Sequence, residues 1–240
     1  MALILCEEGD VAAAWAAEQL RHRGVAVDVV TSDALGAATR WVHRVDSRTA
    51  DVEIDLADGR LIRSAAAVPI LNRLSLVPLR ALRAAAGQDY GYAVQEMFAL
   101  YLSWLHAWPA PVINRPAPQG LSGAYRHPSA WRAFAAEAGL AFRPWAQSSA
   151  DPPALSWTTS EPAAATAFVV AGRAVLPPLL PPTLAEPLIH VAARARLALA
   201  GFDFAHDAKQ GWAMVGASPL PHLPAGGEAV IGALAEALGA

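Results

Sequence analysis

"FDFAHDAKQGWAMVGASPLPHL", residues 202–223, reads as a strand, a turn and a second strand close to the end of a 240-residue chain. It holds the only lysine, Lys209, and two acids on the incoming strand, Asp203 and Asp207. The outgoing strand has no acid and runs into Gly-Ala-Ser-Pro at 216–219. Charge arrives on one strand and does not leave on the other. Whether this unit holds a cation or only builds a fold bears on whether the protein is an enzyme.

Upstream, "TLAEPLIHVAARARLALAG" (183–201) predicts a helix that starts at Thr183, with Glu186 completing a capping box. "ATAFVVAGRAVL" (165–176) predicts a hairpin turning at Ala-Gly-Arg, and the prolines of 177–182 a stiff connector. Downstream, a closing helix runs from Gly226. The proline-rich stretch 144–162 reads as a linker or irregular edge. Far from the tail, "ALILC" (2–6) is an apolar run that suits a buried parallel strand. "DVAAAWAAEQLRHRG" (10–24) predicts a helix capped by Asp10 and ended by Gly24, and "VAVDVV" (25–30) the next strand. This β-α-β opening predicts an open α/β sheet. Short strands follow at 40–63 with a turn at Asp58-Gly59, then a buried strand at 66–71. A helix from Asp89 to Ala107 comes next, with Tyr90, Val94, Met97, Tyr101 and Leu105 at helical spacing. "PVIN" (111–114) is a short strand, and "HPSAWRAFAAEAGL" (127–140) a helix with Pro128 in its first turn and Gly139 at its end.

Composition narrows the classes. The chain is 55% apolar and 16% charged, long enough for a large core without disulfides. No apolar run approaches the ~20 residues of a membrane span, and "MALILCEEGD" lacks a basic start and a long apolar core, so a cytoplasmic protein is expected. A net charge of −3 with scattered arginines argues against nucleic acid. Cys6, the single cysteine, falls inside the first strand as a buried thiol and excludes disulfides and cysteine metal sites. The seven histidines are spread too widely for a ligand set. "EEGD" after the first strand has one glycine where a dinucleotide fingerprint needs three.

Polar residues at predicted strand ends are the candidates for a site. Asn72-Arg73 and Asn114-Arg115 each close a strand, and the carboxyl ends of strands form the ligand crevice of an open α/β sheet. An arginine fork there suits carboxylate or phosphate; the alternative is that each asparagine turns the chain and each arginine is solvated. Glu96, inside an apolar helix, is expected to be structural, bonding Arg73 and locking the helix to the sheet. "PQGLSGAYR" (118–126) leads into a helix whose start, at Arg126 and His127, can attract an anion. The eight tryptophans suit a partner-facing surface or a core equally.

The ordered set "ILNRL", "DYGYAVQEMFALYLSWL", "VINRPAP", "WRAFAAEAGLAFRP", "AFVVAGRAV", the opening hairpin and "GGEAVIGALAEAL" resembles the ATP-grasp ligases. It is most similar to the peptide-modifying ones, the microviridin-type maturases and relatives of the ribosomal-protein glutamate ligase. The resemblance implies an open, mainly parallel pre-ATP-grasp-like domain over residues 1–120 and a reduced ATP-grasp-like α+β domain over 121–240. It also implies phosphate-binding lysines and a closing strand that gives Glu and Asn to magnesium. Here His127-Pro128 stands where the first lysine belongs, and Gly216 and Ala217, or neighbours, where the acid and amide belong. Magnesium takes hard oxygen ligands, and phosphoryl transfer rests almost wholly on positioning and charge.

The leading expectation is therefore a shortened, degenerate ATP-grasp-like protein: a non-catalytic subunit or binding module in peptide or small-molecule modification. No cofactor is expected in that reading. Its crevice would lie around Asn72, Arg73, Asn114 and Arg115, facing a protein partner, a second copy, a peptide or a small acid. The alternative is an ATP- and magnesium-dependent carboxylate–amine ligase with relocated ligands: Arg126, His127 or Arg173 at the phosphates, Asp203 and Asp207 on the metal. A third reading is an unrelated α/β enzyme with Glu96 as general base in an apolar pocket.

Overall fold

A computed structural model describes residues 1–143, 163–207 and 211–239. The linker reading of 144–162, Lys209 and the side chain of Asp207 lie outside the described residues. The chain divides into two compact units, Met1–Tyr125 with Ile231–Ala240, and Arg126–Val230.

The first unit is built on β1 (Ala2–Cys6), α1 (Val11–His22), β2 (Val27–Thr31) and α2 (Ser32–Gly36). Then come β3 (Arg40–Val45), β4 (Ala50–Asp55), β5 (Leu61–Arg63), β6 (Ile70–Arg73), α3 (Leu79–Ala86), α4 (Tyr90–Ala107) and β7 (Val112–Ile113). β1 is buried along its whole length, as a strand covered on both faces must be. It forms the parallel sheet β2-β1-β6-β7, with Ile4 paired to Val29 on one side and to Leu71 on the other. The chain goes from β1 to β2 in one direction and later to β6 in the other. The sheet therefore has its switch point between the carboxyl ends of β1 and β6, the place where such sheets open a crevice.

β3, β4 and β5 form a separate antiparallel sheet. Its Val52, Ile54 and Ile62 join one core with Tyr101, Trp104, Leu105 and Trp108. Trp41, Tyr101, Trp104 and Trp108 pack as a chain of rings with centroids 5.4–6.2 Å apart; each such pair adds about 0.5–1.5 kcal/mol beyond its area. The opposite face is charged: Arg40 and Arg44 meet Glu53, Asp51 and Asp55 at 2.7–3.7 Å. These pairs are exposed and contribute little. Of the described tryptophans, Trp104, Trp108 and Trp131 are core and none is exposed.

The second unit contains α5 (Pro128–Glu137), β8 (Ala165–Val170), β9 (Arg173–Val175), α6 (Ala185–Ala195), β10 (Leu199–Asp207), β11 (Gly211–Ser218) and the start of α7 (Gly227–Ala237). The strands make an antiparallel sheet in the order β11-β10-β8-β9. The β8–β9 turn sits at Ala171 and Gly172, both with positive φ (47° and 82°), as a tight hairpin requires. Phe202 and Phe204 of β10 face a core with Trp131, Leu188 and Val191. By strand alternation Asp203 points to the other face.

Two sequence expectations are corrected here. The helix over 183–201 stops at Ala195, where Arg196 turns left-handed (φ 59°), and Leu199–Gly201 already belong to β10. Leu199 pairs with Val170, so sheet pairing overrides the helical propensity of "RLALAG". The capping box is also absent: Pro182–Leu184 form a 3-10 turn and Leu184 caps the helix without a side-chain bond. The structure adds a helix, α3, at Leu79–Ala86, where the sequence reading places no element.

Candidate functional site

At the switch point the end of β1 supplies Cys6 and Glu7, the next loop Asp10, and the end of β6 Asn72 and Arg73. Asp10 caps α1, accepting from the Ala12 and Ala13 amides at 3.0 Å each. It also accepts from Arg73 Nε at 2.8 Å and from the second guanidinium nitrogen at 3.2 Å. Arg73 is buried (5% exposed side chain) and Asp10 nearly so (14%). Burial alone would raise the Asp10 pKa; the Arg73 hydrogen bond and charge and the helix amides outweigh it and hold the carboxyl below its ordinary value.

Glu7 is a second anchor. Its Oε1 accepts from the Ser75 amide (2.8 Å), the Ser75 hydroxyl (3.1 Å) and the Leu76 amide (2.9 Å), and its Oε2 from the Ser32 hydroxyl (2.7 Å). Beside it lies a shallow cavity of about 240 Å³ lined by Cys6, Glu7, Asp10, Val11 and Thr31 among others. Burial first, and Asp10 second, push the Cys6 thiol up to about 11, so it is no nucleophile. Burial, with the nearby Glu7 charge, also pushes the Tyr101 phenol upward.

Of the two strand-end pairs, the structure joins the asparagines and separates the arginines. Asn72 Nδ2 donates to the carbonyls of Asn114 (2.9 Å) and Leu121 (2.7 Å), and its Oδ1 accepts from the Leu74 amide at 3.2 Å. Ser122 closes the same knot: its hydroxyl lies 2.7 Å from the Leu74 carbonyl and 3.1 Å from that of Asn72, and its one proton serves either. Arg115 is an exposed residue that folds its guanidinium back onto the end of α4, donating to the carbonyls of Leu105 (2.7 Å) and His106 (2.9 Å). It satisfies carbonyls that every helix end leaves open. Asn72 and Arg115 thus both spend donors on main-chain carbonyls of the first unit. The reading of Glu96 is corrected. It is exposed on α4 and makes no hydrogen bond or ion pair among the described residues, while Arg73 is held by Asp10. An exposed carboxylate has neither the locking role nor the apolar pocket a raised general base needs.

In the second unit, His127 caps α5: its Nδ1 accepts from the Ser129 amide at 3.3 Å and meets Ser129 Oγ at 2.8 Å. The half-buried Arg126 lies over the Phe134 ring at 5.8 Å, and its buried Nε has no hydrogen-bond partner among the described residues. Arg194 stacks on the same ring at 5.5 Å and pairs with Glu137 at 2.8 Å. Arg173 opens β9 and is exposed. On the sheet, Asp203 Oδ1 accepts from Thr166 Oγ1 of β8 at 2.8 Å. Its neighbour on β11 is Gly216, where an added Cβ would meet nothing closer than Asp203 Oδ2 at 4.0 Å. Thr166 also borders a cavity of about 260 Å³ walled by Phe168, Val175, Pro177, Pro178 and Pro224.

No family model matches the chain, and no curated protein does. Solved structures do. The fold matches that of ATP-grasp ligases. The macrocyclase MdnC of Microcystis aeruginosa, bound with its precursor peptide MdnA, superposes with a TM-score of 0.71 at 12% identity over 99% of this chain and 98% of its own. Macrocyclase MdnB of the same organism gives 0.69 at 15%, over 99% and 98%. A RiPP-associated ATP-grasp ligase of Chryseobacterium gregarium, in complex with ADP and a leader and core peptide, gives 0.66 at 9%, over 99% and 96%. At these identities the likeness speaks for the fold.

Proposed function

We propose that this chain acts on a peptide, and that its reaction is ATP-dependent joining of a carboxylate to an amine. The observation that supports this is the near end-to-end superposition on MdnC bound with a precursor peptide. ATP would supply the leaving phosphate that activates the carboxylate. Arg126, with an orphaned buried Nε at the start of α5, fits an anion there, and the first-turn amides of α5 add to it. Magnesium fits less well. Asp203 is a single carboxylate with one oxygen already bonded to Thr166. No group of three His, Cys, Asp or Glu among the described residues could hold a metal.

The sheet favours a second reading, a peptide-binding module without ligase chemistry, because Gly216 offers no side chain beside Asp203. Calorimetric titration with ATP, with and without magnesium, separates the two. Micromolar, magnesium-dependent binding lost in Asp203→Ala supports the ligase; binding indifferent to magnesium supports the module. The open space at Gly216 allows a sharper version. Under the second reading, Gly216→Glu places a second carboxylate beside Asp203 and should tighten magnesium binding about tenfold or more. Equal micromolar affinity in parent and variant would mean the metal is held elsewhere, and the second reading falls.

A further inference from the structure

Away from both regions above, β3 and α4 of the first unit bring a histidine and a serine together. His43 Nδ1 lies 3.2 Å from the main-chain carbonyl of Asp51. A carbonyl only accepts, so Nδ1 carries the proton of the neutral ring. Nε2 is then left with its lone pair, and it lies 2.8 Å from Ser103 Oγ. The serine is therefore the donor. Nucleophile, base and orienter stand in the order and at the distances that activate a hydroxyl.

The orienter is fixed. Asp51 belongs to β4, where His43 pairs with Val52. Ser64 Oγ donates to the Asp51 carboxylate and accepts from the Val52 amide at 3.0 Å. Ser103 itself is exposed on α4, so a reagent can reach it.

We propose that Ser103 is a nucleophile, with His43 as its general base, that accepts an acyl group from activated esters. Ser103 Oγ bonds to the ester's carbonyl carbon while His43 Nε2 takes the hydroxyl proton. The alkoxide or aryloxide then leaves with its electron pair and recovers that proton, and Ser103 holds the acyl group as an ester. The site lacks one part of a turnover enzyme. Ser103 lies in the last part of α4, four residues before Ala107, where the neighbouring N–H groups are spent on the helix. A tetrahedral oxyanion has no backbone donors there, which forfeits about 10²–10³ in rate. Ser103 thus captures activated acyl groups once and releases them slowly: a modification site.

The test is incubation of the full chain with p-nitrophenyl acetate, followed by peptide mass mapping over time. Ser103 should acetylate at least about tenfold faster than any other serine, a conservative share of what a positioned general base supplies. His43→Gln should remove that advantage with the melting temperature retained, and Ser103→Ala should abolish the modified peptide. Acetylation spread evenly over the serines, or unchanged selectivity in His43→Gln, would overturn the proposal. Selectivity in the unsubstituted chain decides the matter even where a His43 variant fails to fold.

Discussion

Arg73→Ala should cost the first unit about 3 kcal/mol in a urea melt. The substitution leaves the Asp10 carboxylate at 14% exposure without its cation. Breaking a buried pair on one side costs about 3–5 kcal/mol, and the residual exposure of Asp10 and its two helix amides place the value at the low end. The pH dependence carries its own sign. Asp10 is depressed in the folded state. Its contribution is therefore present above the ordinary carboxylate value of 3.8 and is lost as pH falls through its lower folded value. The gap between wild type and Arg73→Ala should narrow below that point. A gap constant from neutral pH down to about pH 2 would mean that the lost packing of the arginine stem, not the charge pair, explains the cost.

Asn72→Ala should be about as damaging for a different reason. No ion is exposed, but three partners lose their bonds at once: the carbonyls of Asn114 and Leu121 and the amide of Leu74. Asn72 is 1% exposed, so water cannot replace it without opening the knot. Each buried group left unsatisfied costs about 1–3 kcal/mol, and a total of about 3 kcal/mol or more is expected. Asn72→Asp is the informative companion. It keeps the acceptor for Leu74 but turns the donor into an acceptor facing two carbonyls, so it should be no better than alanine. A melt for Asn72→Ala within 1 kcal/mol of wild type would show that the loop at 114–122 re-pairs by itself.

These two residues show what a sequence can and cannot disclose. Asn72 and Arg73 were legible as special because polar residues end an apolar strand, and position alone marks that place. Their roles were not legible. The partner of Arg73 is 63 residues away in the loop after β1, and Asn72 is satisfied by main-chain carbonyls, which leave no mark on the sequence. The partners of Arg115 were illegible for the same reason: its acceptors are backbone atoms. Glu7 was overlooked although it follows β1 directly; the switch-point rule would have singled it out once the strand order was known. Glu96 was misread because the polar break it makes in α4 lies on the solvent side of an amphipathic helix. The parallel opening, the late hairpin and the closing helix were legible because apolar runs, glycine turns and caps sit close together along the chain. The end of α6 was not, because a helix and a strand compete for the same apolar letters and only the pairing partner, Val170, decides.

Cys6 gives the molecule a built-in clock. It is the only thiol in the chain, it lies on the central strand at 3% exposure, and its pKa stands at about 11. At 3% exposure and with that pKa, its reaction with a disulfide reagent at neutral pH is slow unless the first unit opens. The rate of colour development thus counts opening events of that unit alone, without denaturant and without a signal from the second. When opening and closing are fast relative to the reagent, that rate reports the free energy of opening rather than its speed. One reagent bottle then measures, under native conditions, how firmly the sheet that carries the switch point is shut.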